Sequence, residues 1–415
     1  MPEAHSVFDY LEWRGDLSFE SDPLNEIDSL IFCSISYLNF NTKSGKAHKC
    51  AMSLEKICRY YRKHMVDYAN VLGNRFFVQL QELLLGAAST KRFSEVEVSH
   101  HTDILDEEHA KQFSATVFSI NPKLHYIAFR GTDNTITGWK EDFRMSFLNE
   151  VPAQKQAVSY FINISADLKG HFLLGGHSKG GNLAAYAAAN SGANLLSRII
   201  RVYNNDGPGF LPGIAKSAGY QDILEKLVVI VPESSVVGML LEHPGKHKIV
   251  SSSEIGIMQH NPLSWGIRGN SFVEVKKLSY SSIAISKTVR SWMKQVSLEQ
   301  RAEFVEVLFS GIESTGVKTL NDLTREKINL VASMFKTYTH LDKNTRTHLN
   351  RILWLLVRET GKTFNRSLRT EFSAIFSRKK EPKVLPAEDP ILLLEDASSP
   401  QRLCLPELVT DESHY

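Results

Sequence analysis

Hydrophobic residues follow two different spacings along this chain. From Phe93 to about Ser253, short apolar or β-branched runs alternate with stretches that have helical spacing. The predicted strands are residues 115–120, 124–129, 171–175, 199–203, 227–231 and 248–251, and the predicted helices are residues 154–168, 180–190 and 220–226. This alternation predicts an α/β fold, in which helices cover both faces of a mostly parallel sheet. Asn121-Pro122-Lys123 predicts a tight antiparallel hairpin between the first two strands.

Helical spacing dominates on both sides of this central part. Apolar residues recur at helical intervals over 53–85, and again after Ser281 at 285–296, 298–314, 320–336 and 345–360. The end of the chain is rich in proline and charge, which is typical of a disordered segment. We therefore expect a helical N-terminal lead-in at 1–90, an α/β core at 91–280, a C-terminal helical region at 281–376 that caps the core, and a disordered tail at 377–415.

Composition narrows the range of partners. The 415 residues include 48 Lys and Arg against 46 Asp and Glu, and this net charge of +2 gives no basic surface of the kind that nucleic acid selects. The first twelve residues do not have the pattern of a secretory signal, and no apolar run is long enough to span a membrane. The four cysteines have neither metal-binding nor disulfide spacing, and there is no phosphate-binding or dinucleotide motif. We expect a cytoplasmic protein with no integral membrane segment, nucleic-acid partner, metal or cofactor.

The sharpest local pattern is Gly176-His177-Ser178-Lys179-Gly180, a G-x-S-x-G sequence between a predicted strand and an alanine-rich predicted helix. A serine hydroxyl is a weak nucleophile, and many hydrolases lift it above the sheet on a tight turn where a histidine reaches it. Glycine at both ends of the pattern removes side chains that would collide in such a turn. Ser178 is therefore the predicted nucleophile, and the alternative is a glycine-rich connector with a capping serine. We expect His177 to pack or hydrogen-bond beneath the turn.

Other segments supply candidates for the remaining catalytic roles. The oxyanion of an acyl-transfer intermediate is held by backbone N–H groups, one from the residue after the nucleophile, Lys179, and one from the loop after an earlier strand. In Phe129-Arg130-Gly131-Thr132-Asp133 the second candidate is Thr132, with its N–H and also its hydroxyl. His260 follows the last predicted strand and is the candidate base, because an imidazole with a pKa near 6.5 can both accept and return a proton.

Two carboxylates compete for the role of orienting acid. Asp206 follows the strand predicted at 199–203 and gives the chain order Ser, Asp, His. Glu233 lies at the end of the next predicted strand. We favour Asp206. The alternative is that this aspartate only forms a turn, because the sequence Asp-Gly-Pro-Gly also favours turns.

Several of these segments together resemble known families. The segment Phe-Arg-Gly-Thr at 129–132, followed by Trp139 and Asp142, resembles class 3 lipases, which usually place the acid at the position of Glu233. The wider set resembles the Mbeg-like family, bacterial proteins of unassigned function in the α/β-hydrolase superfamily. The segments that carry this resemblance are 129–133, 138–143, 177–182, 206–209, 235–241 and 259–262. This resemblance covers about 20–365 and implies a lipase-like fold, a cytoplasmic location and a triad of Ser178, Asp206 and His260.

These observations together predict a serine hydrolase that cleaves a carboxylic ester of lipid or lysolipid type, with the helices after Ser281 as a cover over the pocket that gates substrate entry if it moves. The alternatives are a thioesterase or peptidase with the same triad, and a non-catalytic hydrolase-fold protein that binds a lipid or a protein. Lys179 stands where class 3 lipases usually have an apolar residue, and an ammonium there would favour anionic substrates unless it is solvated or salt-bridged. The histidines and acids of 100–109 are interpreted as a solvated loop.

Overall fold

The computed structural model describes residues 4–40, 51–64 and 75–319, together with single positions between 322 and 354. The chain separates into two compact units, residues 1–369 and 370–415, and everything described lies in the first. The tail predicted at 377–415 lies outside the described residues. The helices predicted at 320–336 and 345–360 lie mostly outside them.

The described residues form an eight-stranded sheet whose strands follow one another in chain order. The strands are β1 Met52–Ser53, β2 Glu97–Asp106, β3 Lys111–Asn121, β4 Leu124–Phe129, β5 His171–His177, β6 Ile199–Asn205, β7 Leu227–Pro232 and β8 His247–Val250. Strands β1 to β4 pair antiparallel, and β4 to β8 pair parallel. The predicted hairpin at Asn121-Pro122-Lys123 is confirmed, because β3 and β4 pair across it. A small hairpin of β9 Ile267–Arg268 and β10 Ser271–Phe272 follows.

Helices lie on both faces of this sheet, as the alternation predicted. They are α1 Val7–Arg14, α2 Glu26–Ile35, α3 Leu54–His64, α4 Arg75–Ala88, α5 Ile136–Arg144, α6 Pro152–Asp167, α7 Lys179–Ala189, α8 Ala193–Leu196, α9 Pro212–Ala215, α10 Ala218–Ile223, α11 Tyr280–Gln295 and α12 Leu298–Glu313. In β4, Ile127 and Phe129 pack with α6 and α7, whereas Tyr126 and Ala128 pack with the N-terminal helices. This period of two is expected for a strand that is buried on both sides.

The N-terminal helices form one of the two layers that cover the sheet. Tyr126 Oη lies 2.6 Å from Ser29 Oγ and 3.1 Å from Cys33 Sγ, which ties α2 to β4. A fully buried ion pair joins Arg92 to Asp28 at 2.5 Å, and Tyr10 donates a hydrogen bond to the same carboxylate at 2.8 Å. The predicted lead-in is therefore an integral part of the core.

The interpretation of 100–109 as a solvated loop is wrong, because most of this segment is strand β2. His101 is buried and its Nδ1 lies 2.8 Å from Thr116 Oγ1 of the neighbouring strand. The pairing register shifts between Ser99 and Thr102, and His100 has a φ of 51°. This β-bulge interrupts the alternation of apolar and polar residues that would have indicated a strand.

The C-terminal helices α11 and α12 follow the core. Val305 and Phe309 of α12 form a small apolar cluster with Ile136 at the start of α5. Arg144 of α5 also forms an ion pair with Glu306 at 2.6 Å. Among the described residues, no helix is long and apolar enough to cross a membrane.

Candidate active site

Ser178 lies in the sharp turn between the end of β5 and the start of α7. Its φ of 58° is in the left-handed region, a strained conformation for a residue with a side chain. A Cβ at Gly180 would lie 2.0 Å from the Phe129 carbonyl oxygen, and a Cβ at Gly176 would lie 2.1 Å from the Gly180 carbonyl carbon, so both positions require glycine. Ser178 makes no capping hydrogen bond to α7, so the alternative of a capping serine fails. The turn has the geometry of a nucleophile elbow.

His260 and Asp206 are in direct contact. His260 Nδ1 lies 2.7 Å from Asp206 Oδ2, and Asp206 is fully buried at the end of β6. The other carboxylate oxygen, Oδ1, accepts hydrogen bonds from Ser235 Oγ at 2.5 Å and from the Gly238 N–H at 3.1 Å. A Cβ at Gly238 would come within 2.4 Å of that oxygen, so a glycine lets the backbone approach the acid. The carboxylate is thus held on one side and directed at the imidazole on the other.

The competing acid, Glu233, has a different environment. It follows β7, its N–H donates to the Val250 carbonyl at 2.9 Å, and its own carbonyl accepts from the Ser279 N–H at 2.7 Å. Among the described residues it makes no ion pair or hydrogen bond with His260. Of the two carboxylates considered, the structure places Asp206 against the imidazole.

His177 holds the loop that carries His260. Its Nε2 donates to the His260 carbonyl oxygen at 2.8 Å, and Tyr37 Oη, 3.0 Å from Nδ1, acts as the donor there, which fixes the tautomer. Burial, together with the nearby His260, lowers the pKa of His177 well below its usual value, so the ring is neutral at physiological pH. The two histidine rings are 4.6 Å apart between centroids, which places His260 beside the elbow. Trp265 Nε1 donates to the Gln259 carbonyl at 2.8 Å and fixes the same loop.

The backbone N–H groups of Thr132 and Lys179 have no acceptor among the described residues. The N–H of Lys179 is free because the first turn of a helix has no partner for it. The loop with Thr132 packs against the elbow, since a Cβ at Gly131 would lie 2.5 Å from the His177 carbonyl oxygen. An oxyanion hole needs two such free N–H donors, and here both lie close to Ser178.

The hydroxyl of Thr132 is already engaged. Thr132 Oγ1 donates to Asp142 Oδ2 at 2.6 Å. Burial raises the pKa of Asp142 to about 6, while the Lys179 ammonium and the Thr132 hydroxyl oppose that rise. At neutral pH the carboxylate is therefore ionised and accepts the hydrogen bond from the Thr132 hydroxyl. The backbone N–H is then the donor that Thr132 can offer a substrate.

The side chain of Lys179 points into the protein. Its ammonium is buried and contacts Glu141 Oε2 at 3.0 Å and Gln112 Oε1 at 2.8 Å. The expectation that this charge selects anionic substrates is therefore not supported, and the salt-bridged alternative describes the observed contacts. Within the described residues, no group of three His, Cys, Asp or Glu side chains is arranged to hold a metal ion.

Sequence reasoning missed several residues of this site: Tyr37, Gln112, Ser235, Gly238 and Glu141. Each acts through a partner that is distant along the chain, such as Tyr37 with His177 or Ser235 with Asp206. The segments 138–143 and 235–241 stood out only through the family resemblance, which indicated that they matter without showing what they contact.

The parallel sheet, the strained serine between β5 and α7 and the acid and histidine at the same edge define an α/β-hydrolase fold. A family model for Mbeg1-like proteins matches residues 87–310, and the chain belongs to that family, which confirms the resemblance seen in the sequence. No curated protein matches the chain. Among solved structures it is similar to one described as M37 lipase, with 16% identity, a TM-score of 0.32, and coverage of 51% of this chain and 68% of that one.

Proposed function

We propose that this protein is a serine hydrolase that cleaves a carboxylic ester through an acyl-enzyme on Ser178. The observation that carries the proposal is the 2.7 Å contact between His260 Nδ1 and Asp206 Oδ2, beside a serine held at a φ of 58°. In this assignment His260 is the base and then the acid, Asp206 orients it, and the N–H groups of Thr132 and Lys179 bind the oxyanion.

The reaction begins when Ser178 Oγ bonds to the ester carbonyl carbon while His260 Nε2 takes the hydroxyl proton. The negative charge on the carbonyl oxygen faces the two free N–H groups. The bond to the leaving alcohol then breaks, and His260 returns the proton to it. A water molecule repeats both steps on the acyl-enzyme and releases the acid. Ser178 Oγ has no hydrogen-bond partner among the described residues, so the proposal requires its hydrogen bond to His260 Nε2 to form in the complex with substrate.

An ester of lipid or lysolipid type is the substrate class that fits the surroundings of His260. The loop leading to it exposes Ile255, Ile257 and Met258 at 82%, 64% and 60% of their surfaces. Aliphatic side chains this exposed contribute little to folding, and they offer an apolar surface beside the base for an acyl chain.

Labelling with a fluorophosphonate tests the nucleophile. We expect one adduct on Ser178 in the folded protein, lost in Ser178→Ala and retained in Ser253→Ala, a matched change at an exposed serine. If a reference hydrolase reacts while the wild-type chain remains unmodified, the protein is a non-catalytic member of the fold that binds a lipid or a protein.

The leaving group is tested by substrates that share one acyl chain. Ester, thioester and amide versions, each over a range of chain lengths, separate an esterase from a thioesterase or a peptidase, because one triad serves all three reactions. We expect the ester to give the highest kcat/KM and longer chains to be preferred. A preference for the thioester or the amide would replace the ester assignment while keeping the nucleophile.

A further inference from the structure

Lys179 is a cation in an unusual position. It is the first residue of α7, directly after Ser178, and its side chain is only 1% exposed. Its Nζ donates to the Gln112 carbonyl at 3.0 Å, to Gln112 Oε1 at 2.8 Å and to Glu141 Oε2 at 3.0 Å. An ammonium has three N–H bonds, so every donor is used within the protein. The side chain therefore serves the protein's own structure rather than a substrate.

A buried positive charge at this position needs compensation. The N-terminus of a helix carries partial positive charge, and a cation removed from water is unstable without a close counter-charge. Glu141, whose side chain is fully buried, supplies that charge. Its two oxygens also accept the N–H groups of Gln112 at 3.0 Å and Ala153 at 2.8 Å. Glu141 thus links the residue after the nucleophile to α5, β3 and the start of α6.

Asp142, the next residue of α5, connects the other oxyanion candidate. Its Oδ2 accepts from Thr132 Oγ1 at 2.6 Å, and its Oδ1 lies 3.6 Å from Lys179 Nζ. Thr132 also rests against the first turn of α5, where a Cβ at Gly138 would come within 2.9 Å of its methyl group. Thr132 and Lys179 are therefore both anchored, through their side chains, to adjacent residues of one short helix.

We infer that Lys179, Glu141, Gln112 and Asp142, here called the Lys179 brace, are positioning residues that set the distance between the N–H groups of Thr132 and Lys179. The inference rests on the proposed function, in which those N–H groups bind the oxyanion. Such donors act at about 2.7–3.1 Å from the oxyanion, and a misplacement of about 1 Å costs roughly 100-fold in rate. The brace should affect kcat more than KM, because the charge on the oxygen develops only in the transition state.

The test is a double variant, Lys179→Met with Glu141→Gln. It keeps the N–H at 179, preserves side-chain volume and removes both charges of the Lys179–Glu141 pair, so that neither is left without its partner as it would be after either single change. The matched control is Arg144→Met, which removes a cation from the same helix at a partly exposed ion pair with Glu306. Circular dichroism and thermal unfolding establish that each variant is folded. The readouts are kcat and KM on a water-soluble ester and inhibition by an alkyl boronic acid, which mimics the oxyanion.

We expect the double variant to lose roughly 10- to 100-fold in kcat, the inhibitor to weaken by a similar factor, and KM to stay within about threefold. Arg144→Met should behave like wild type. A folded double variant with wild-type kcat and inhibitor affinity overturns the brace, as does a loss that appears in KM alone. A wild-type protein that neither reacts with fluorophosphonate nor turns over ester overturns the proposed function and the brace together. A reactive wild type with an unimpaired double variant removes only the brace.

Discussion

Replacing Asp206 with asparagine changes one atom of the site, and the structure indicates how the new amide orients. The Oδ1 position accepts two hydrogen bonds, from Ser235 Oγ and from the Gly238 N–H, and the second donor is backbone. The amide oxygen must remain there, because an NH₂ group would face the Gly238 donor. The NH₂ group therefore points at His260 Nδ1, 2.7 Å away in the native protein.

The consequence for His260 is a change of tautomer. A neighbouring NH₂ donor requires Nδ1 to be the acceptor, so the ring proton moves to Nε2. A protonated Nε2 cannot take the proton of Ser178, and the positive imidazole of the transition state also loses its counter-charge. A wrong tautomer of this kind is associated with a loss of about 10⁴-fold in kcat, or roughly 5 kcal/mol at 1.36 kcal/mol per decade.

The assay is kcat/KM on a soluble ester as a function of pH, with Glu233→Gln as the matched control at the competing carboxylate. We expect Asp206→Asn to fall by three to four orders of magnitude with KM nearly constant, and Glu233→Gln to stay within about threefold. Unfolding midpoints of both variants show whether a loss reflects misfolding. The reasoning is refuted if folded Asp206→Asn keeps more than a tenth of the activity, or if Glu233→Gln shows the large loss instead.

Three further predictions concern the support of the site and the stability of the fold. Tyr37→Phe leaves the buried Nδ1 of His177 without its donor, so it should lower the unfolding midpoint slightly and reduce kcat by roughly tenfold by loosening the His260 loop; a wild-type kcat and pH profile would show that Tyr37 does not act on that loop. Arg92→Met leaves Asp28 as an unpaired buried carboxylate and should lower the free energy of unfolding by about 3–5 kcal/mol in urea titrations, whereas a loss under 1 kcal/mol would contradict the ion-pair argument. Burial, with charge from His247 and Arg290, lowers the pKa of His243 to about 3, so the folded state resists its protonation and stability should fall as the pH drops from about 6.5 toward 3. His243→Gln should make the slope of unfolding free energy against pH shallower by up to about 1.4 kcal/mol per unit, and an unchanged slope would exclude this histidine.

Some of this architecture is local in the sequence and was therefore predictable. The elbow depends on Gly176 and Gly180, each two positions from Ser178 and so visible in the sequence, although the contact that excludes a side chain at Gly180 comes from Phe129 of β4. The strand predicted at 124–129 matches β4, because a strand buried on both faces forms a nearly continuous apolar run, which only His125 interrupts here. The α/β-hydrolase fold was predictable because the alternating strands and helices and the G-x-S-x-G turn are each visible in a short stretch of sequence.

Other features depend on partners far apart in the chain. Glu141 and Lys179 are 38 residues apart, and nothing near either residue indicates that their charges pair in the interior. Ser235 lies 29 residues from the Asp206 carboxylate that it holds. Such pairs form only once the sheet brings loop ends together, so sequence spacing indicated candidates for the acid without deciding which one reaches His260.

The contact between α2 and β4 also affects how the chain is made. Cys33 and Tyr126 are 93 residues apart, so the apolar side of α2 emerges from the ribosome well before the strand that covers it. At synthesis rates of roughly 5–20 residues per second, that helix waits about 5–20 seconds for its partner. During this interval its exposed leucine, isoleucine and phenylalanine side chains are a ready target for chaperones.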